Sequence, residues 1–240
     1  MKSSVRLVVS RERVLSLLQR LVARYAPARS RLRCSYLLYR MSGQREREID
    51  WLQNFVDPAR LAIDIGANEG IYTYRLSELA RKVHAFEPNP EWTEVIECAR
   101  LVNIEVHRLA ISSRPQVKTL YVPRVGAMIL SGWATFDKSH CPFAENFDEI
   151  EVTCKPLDWF EFTKVSFIKL DVEGHELAAL EGAERTLSEN RPVLLAEVES
   201  ENRASFERIM RRHGYSLKSL ASLFGVEGTP ANMLFLPNAP

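Results

Sequence analysis

The sequence predicts an α/β fold: a mostly parallel sheet with helices alternating between its strands, behind a basic, helical N-terminal extension. Three observations predict it. From residue 61 onward, short apolar runs alternate with stretches of helical periodicity, the pattern of βαβ units. Three of those runs end in dense polar sequence, at the strand ends where parallel sheets bind their ligands. Residues 1–50 carry 12 Lys and Arg against four acids, or +8, whereas residues 51–240 carry −7. That asymmetry suggests a separate job for the arm.

The composition narrows the class further. With 240 residues, 46% hydrophobic and 26% charged, the chain can bury a full core. Disorder, a collagen-like repeat and a disulfide-dense scaffold are excluded. No apolar run approaches the ~18 residues that a membrane-spanning helix needs. Cys34, Cys98, Cys141 and Cys154 are scattered, without a C-x-x-C pair or metal spacing, and read as reduced thiols. Leu7-Val8-Val9 is cut off by Arg11 with no small-residue cleavage site after it, so no secretory signal is expected. The expected location is cytoplasmic, with the arm offering peripheral contact at the inner face of a membrane.

In the arm, Val14, Leu18, Leu21 and Tyr25 follow helical spacing, and Arg11, Arg13, Arg20 and Arg24 lie largely off that stripe. Pro27 should end this helix. A second basic stretch, Arg29 to Arg40, carries Leu32, Tyr36, Leu37, Leu38 and Tyr39. Three roles fit such an arm: a cap on the body, a contact with anionic lipid, or a transit or nucleic-acid-binding segment.

The body opens with Leu61–Ile65 as a buried strand, then a helix over Ile71–Ala80. A second strand at Val83–Phe86 precedes a helix over Glu91–Leu101, and a third strand covers Ile104–His107. Gln116–Val122 and Ile150–Thr153 are expected as extended pieces around a less regular stretch. Phe167–Leu170 reads as a strand and Glu176–Leu187 as one helix. Val193–Val198 then reads as a strand and Arg203–Arg212 as a helix, and two extended segments near Tyr215–Leu217 and Met233–Leu236 close the chain.

The strand ends carry the chemistry. Asp64-Ile-Gly66-Ala67-Asn68-Glu-Gly70 is a strand-to-helix glycine loop, where bare backbone lets a ligand approach. It is neither the G-x-G-x-x-G dinucleotide fingerprint nor a Walker loop, so NAD and nucleotide triphosphates are disfavoured. Glu87 follows Gly70 by 17 residues, a spacing that suits an acid accepting from the ribose hydroxyls of an adenosine-containing ligand. Asp171-Val-Glu173-Gly174-His175-Glu176 packs four ionisable side chains into six positions. If still extended, Asp171 and Glu173 share one face. Such a cluster suits acid–base work, with His175 polarised by a neighbouring carboxylate. No ligand spacing among Asp171, Glu173, His175 and Glu199 points to a metal.

Together these residues resemble the FkbM family of S-adenosylmethionine (SAM)-dependent methyltransferases. The resemblance runs from about Ala62 to Glu199. It is carried by Ile63-Asp64-Ile-Gly66-Ala-Asn68-x-Gly70-x-Tyr72-Thr73, Phe86-Glu87-Pro88-Asn89-Pro90, Cys154-Lys-Pro-Leu157-Asp158, Phe167-Ile-Lys169-Leu-Asp171-Val-Glu173-Gly-His175-Glu176 and Arg191-Pro-Val-Leu-Leu-x-Glu197-Val-Glu199. It implies a three-layer, Rossmann-like class I methyltransferase sheet over residues 56–240, behind a basic helical extension over residues 1–55. It also implies SAM as cofactor, with Asp64, Gly66, Asn68 and Gly70 around the methionine moiety, Glu87 on the ribose and Asn89 beside it. Asp171 would border donor and acceptor, and Ala67, Thr73 and Ala110 would complete the cofactor set.

The implied reaction is O-methylation of a hydroxyl on a sugar, glycan or natural-product small molecule. His175, Asp171 and Glu173 are the catalytic candidates, and His175 is expected to take the acceptor's proton. Trp133, Phe136, Phe143 and Phe147 are the aromatic residues that could stack on a sugar ring or fill the core. The acidic body opposes nucleic-acid binding. The competing reading is a non-catalytic membrane-associated or scaffolding protein on a degenerate methyltransferase body.

Overall fold

A computed structural model describes residues 26–42, 45–126 and 128–239. The amphipathic helix expected through Val14–Tyr25 lies outside these residues. The elements are α1 (Arg31–Met41), α2 (Glu48–Trp51), β1 (Leu61–Ile65), α3 (Ile71–Ser77), β2 (Lys82–Phe86), α4 (Pro90–Cys98), β3 (Ile104–His107), β4 (Ala110–Ile111), β5 (Gln116–Val125) and β6 (Met128–Ile129). They continue with β7 (Asn146–Lys155), β8 (Val165–Leu170), α5 (Glu176–Glu181), α6 (Glu184–Asn190), β9 (Val193–Glu197), α7 (Arg203–Arg212), β10 (Tyr215–Lys218), α8 (Leu220–Phe224) and β11 (Asn232–Pro237).

The main sheet runs β10-β11-β9-β8-β1-β2-β3. Pairings from β3 through β9 are parallel, whereas β11 pairs antiparallel with both β9 and β10. Residues of β1 and β8 are buried along their whole length, as parallel strands covered on both faces must be. One apolar cluster joins Ile63, Ile168 and Phe235 to Leu180 and Phe206, and another joins Ala62 and Phe167 to Tyr36, Leu76 and Leu220. The sheet is therefore sandwiched between two layers, and the fold is Rossmann-like. Chain order reverses at β1, which pairs with β2 on one side and β8 on the other. Ligands of open α/β sheets bind at that switch point.

Several expected elements differ in extent. The single helix expected over Glu176–Leu187 is two, the first ending at Gly182, where a side chain would strike the backbone of Ser112 and Pro156. The extended pieces at 116–122 and 150–153 belong to longer, paired strands. β5 and β7 form an antiparallel pair in a second sheet of order β4-β7-β5-β6. Asp171 and Glu173 do not continue one extended strand, since β8 stops at Leu170 and Glu173 is left-handed at φ 45°.

Part of the basic extension is built into the body. Leu32 and Tyr36 of α1, with Ile49 and Leu52, are buried. Leu32 packs over Gly70, and the rings of Tyr36 and Tyr74 stand 5.0 Å apart. The Glu48 carboxylate accepts from the Thr229 N–H at 2.6 Å and its hydroxyl at 2.8 Å. Leu32, Tyr36, Ile49 and Leu52 thus share the core of the sheet. Among the described residues no helix is long and apolar enough to cross a membrane.

Candidate active site

The glycine loop forms the floor of a cavity at the carboxyl ends of β1, β2 and β8. Gly66 donates its N–H to the Phe86 carbonyl, and Asp171 donates to the Ile65 carbonyl, both at 2.9 Å. These bonds tie the three strand ends together. Gly66 has φ +80°, and a Cβ there would overlap the Asp171 carbonyl oxygen. Only glycine satisfies both demands. Asn68 is left-handed at φ 48°, a conformation that asparagine tolerates better than most residues.

Glu87 is 5% exposed at the end of β2. Its two oxygens accept the N–H groups of Asn68 and Asn89, each at 2.7 Å. Burial pushes its carboxyl up to about 7, against the pull of those two amides. Asn89 caps α4, accepting from the Glu91 N–H at 3.1 Å ahead of Pro90, an N-cap followed by proline at the first helical position.

Asp64 is buried behind the loop, where Thr73 donates its hydroxyl to Oδ2 at 2.6 Å. Burial raises its carboxyl to about 6 even though Thr73 and Lys169 favour the ion.

The polar turn after β8 makes the opposite wall. Asp171, Val172 and Glu173 line the cavity, facing Gly66, Asn68, Glu87, Ala110 and a strap that includes Ser131, Gly132, Ala134 and Phe136. Thr135 fastens the strap to this turn by donating to the Glu173 carbonyl at 2.9 Å. Gly174 is required there too, since a Cβ would enter the His140 ring. Burial raises the proton affinity of Glu173, and Asp171, Glu197 and Glu176 add to the effect. Asp171 is raised in the same direction by burial, with Lys169 opposing.

Lys169 is 1% exposed in the middle of the sheet. Its ammonium lies 3.5 Å from Asp171, 3.9 Å from Glu46 and 3.3 Å from Asn232 Oδ1, over the Tyr72 ring. Burial alone would neutralise it, but Asp171, Glu46 and Glu197 together hold it charged, above the ordinary lysine range. Glu46 also accepts from Tyr72 and Asn232, at 2.7 and 2.6 Å. A residue of the N-terminal extension is thereby wired to the strand end that carries Asp171.

The expected site residues thus fall into two groups. Gly66, Asn68, Glu87, Ala110, Asp171 and Glu173 line the cavity. Asp64, Ala67, Gly70, Thr73 and Asn89 lie behind it: Thr73 orients Asp64, Asn89 orients Glu87, and Gly70 receives Leu32.

His175 departs from expectation. Its Nε2 lies 3.0 Å from Ser112 Oγ, and its ring meets Phe136 edge-on at 4.8 Å. The polarising partner is Ser112, not Asp171 or Glu173. Burial, helped by Lys118, pushes the imidazole down to about 4. Of the strap, Phe136 is among the aromatic residues the sequence singles out, whereas the pairing of Lys169 with Glu46 is not legible there. A lysine inside an apolar strand was the available signal for one; nothing near Glu46 signalled the other.

Residues 64–217 match the Methyltransferase FkbM domain. No curated protein matches the chain. Among solved structures, the FkbM methyltransferase from Methylobacillus flagellatus KT superposes with a TM-score of 0.51 at 17% identity. The match covers 93% of this chain and 58% of that one, so this chain spans less than two thirds of that protein. An rRNA methylase from Streptococcus thermophilus gives 0.47 at 13% identity over 80% of this chain and 95% of that one. A Streptococcus mutans protein solved in complex with SAH (S-adenosylhomocysteine) gives 0.47 at 13% identity over 78% and 94%. The matched residues begin at Asp64 and run past the turn that carries Asp171 and Glu173, which takes in every wall of the cavity; this chain belongs to the FkbM methyltransferase family.

Proposed function

We propose that this protein transfers the methyl group of SAM to a hydroxyl of a sugar, glycan or natural-product small molecule. The observation that carries the reading is a pair of carboxyl groups, Asp171 and Glu173, across one cavity from a glycine loop. SAM is the cofactor of the family, and the residues fit it. Asn68 Oδ1 is buried without a hydrogen-bond partner and belongs to a residue of the cavity wall, an acceptor suited to an ammonium donor. Glu87 would hold the ribose, since each of its oxygens keeps a lone pair after accepting one amide. When bound, the cofactor supplies an electrophilic methyl group, so the acceptor oxygen needs only alignment and loss of its proton.

Glu173 is the proton acceptor best supported by position. It lines the cavity; burial among Asp171, Glu197 and Glu176 raises its carboxyl to about 9, so it takes the acceptor's proton in its ionised form and kcat should climb as pH rises toward that value. His175, held by Ser112 beside Phe136, would orient the strap. Trp133 and Phe143 meet edge-to-face at 5.2 Å and are 41% and 46% exposed next to the strap. They offer a stacking surface for a ring-shaped acceptor. The acid-rich body favours a small-molecule or glycan acceptor over nucleic acid.

Titration of SAH into the full chain should show one binding site, and no binding at millimolar ligand would end the proposal. Glu173→Gln is expected to lower kcat by about 10²–10⁴ with SAH affinity nearly unchanged. His175→Ala should lower it less. The reverse ranking would return the proton to His175.

The basic arm is proposed to govern acceptor access or location rather than cofactor binding. Deleting residues 1–26 should leave SAH affinity within about threefold, under ~1 kcal/mol. Loss of binding in a folded truncation would make the arm part of the cofactor pocket. Salt-sensitive binding of the full chain to anionic vesicles would support peripheral membrane contact.

A further inference from the structure

The site described above leaves unused a cluster on the edge of the main sheet. His84 on β2 lies opposite Glu105 on β3 in the strand register, and His107 follows Glu105 by two residues. The period of two then puts all three side chains on one face of the sheet. His84 Nδ1 and His107 Nε2 are 3.0 Å apart. The Glu105 carboxylate spans both rings, with Oε2 at 3.8 Å from His84 and Oε1 at 3.8 Å from His107. Two imidazoles and a carboxylate with donor atoms this close match ligands sharing one cation at the ~2.0–2.2 Å of zinc–nitrogen and zinc–oxygen bonds.

We propose that His84, Glu105 and His107 form a zinc site that pins the edge strand β3 to β2. A hydrogen bond between two neutral rings accounts for the 3.0 Å contact and Lys82 holds the carboxylate, but together they leave three donor atoms converging at the spacing of one cation's ligands. The surroundings suit a metal. The Phe162 ring centroid lies 4.4 Å from that of His84, and Phe86 stacks on His107 at 4.4 Å with planes 12° apart. These rings fix the imidazoles and keep water from one side. Glu105 is exposed, which leaves the other side open for entry and for a water as fourth ligand. Lys82 lies 2.6 Å from Glu105 Oε2 and competes with the metal for that carboxylate.

The competition separates a metal site from a merely structural cluster. The full chain, stripped with a chelator, is titrated with zinc and, separately, with cobalt(II) as an absorbing substitute. One equivalent of zinc should bind, raise Tm in proportion to occupancy, and give cobalt a tetrahedral visible spectrum. Glu105→Gln should weaken zinc about tenfold or more, and His107→Gln should abolish uptake. Lys82→Ala should tighten zinc by about threefold or more, because the carboxylate is freed from its ammonium. Circular dichroism checks that each variant is folded, and Glu105→Gln alters only an exposed side chain if the histidine variant fails. Absence of stoichiometric uptake by the wild type would overturn the proposal. So would uptake unchanged by Glu105→Gln and lost in His140→Ala, which would place the ion at His140, Glu199 and Glu201, the other convergent group among the described residues.

Discussion

Replacing Lys169 by methionine is expected to cost about 3–5 kcal/mol of stability, the usual consequence of removing one side of a buried charge cluster. The methionine fits the space, so the loss is electrostatic. Asp171, Glu46 and Glu197 are left facing one another without their cation. In the intact chain burial already raises the proton affinity of Asp171 and Glu197, and Lys169 opposes that rise in both. Without Lys169 the folded carboxyls are raised further while their unfolded values stay at ~4. Their contribution to folding is then complete below about pH 4 and is lost as pH rises through the folded values. The deficit in urea unfolding should accordingly be small near pH 5 and largest near pH 8. A deficit that is flat with pH would show that Lys169 stabilises by packing rather than by charge. Because the cluster positions Asp171, kcat should fall in the same variant even where it is fully folded.

Gly66→Ala should abolish measurable cofactor binding, with SAH affinity reduced by at least about 100-fold, or ~2.7 kcal/mol. Two effects combine at this position. A left-handed backbone costs a non-glycine residue about 1–3 kcal/mol, and the new methyl group would occupy the space of the Asp171 carbonyl. To relieve that overlap the turn after β8 must move, taking Asp171 and Glu173 out of register with Asn68 and Glu87. Gly225→Ala provides the comparison. Gly225 is also left-handed, at φ +68°, but nothing lies within 4 Å of an added Cβ. It should show the backbone strain alone, a stability loss of ~1 kcal/mol with SAH affinity unchanged. Equal effects of the two substitutions on SAH affinity would mean that the close approach of Gly66 to Asp171 has no part in shaping the site.

Local sequence by itself determined the strands of the main sheet, the loops at their ends and the family. Leu61–Ile65 and Phe167–Leu170 are apolar runs too short for helices and bounded by turn residues, so their burial and their polar ends were legible in one dimension. The cofactor-side residues Gly66, Asn68 and Glu87 were legible for the same reason: backbone freedom and strand-end position are local properties. What sits behind them was decided only in three dimensions. Thr73 serves Asp64, Asn89 serves Glu87, and Ser112 takes His175 away from Asp171 and Glu173, four and two positions before it in the chain. Whether a side chain faces a cavity or a neighbour depends on where the turn after β8 bends, and Asp171 and Glu173 share the cavity through a left-handed turn at Glu173 rather than through an extended strand. Longest in range is the bond network that joins Glu46 to Lys169 and Asn232. No periodicity or spacing connects residues 46, 169 and 232. Only burial does, because a lysine enclosed by the sheet must gather its counter-charges from whichever segments the fold brings to it.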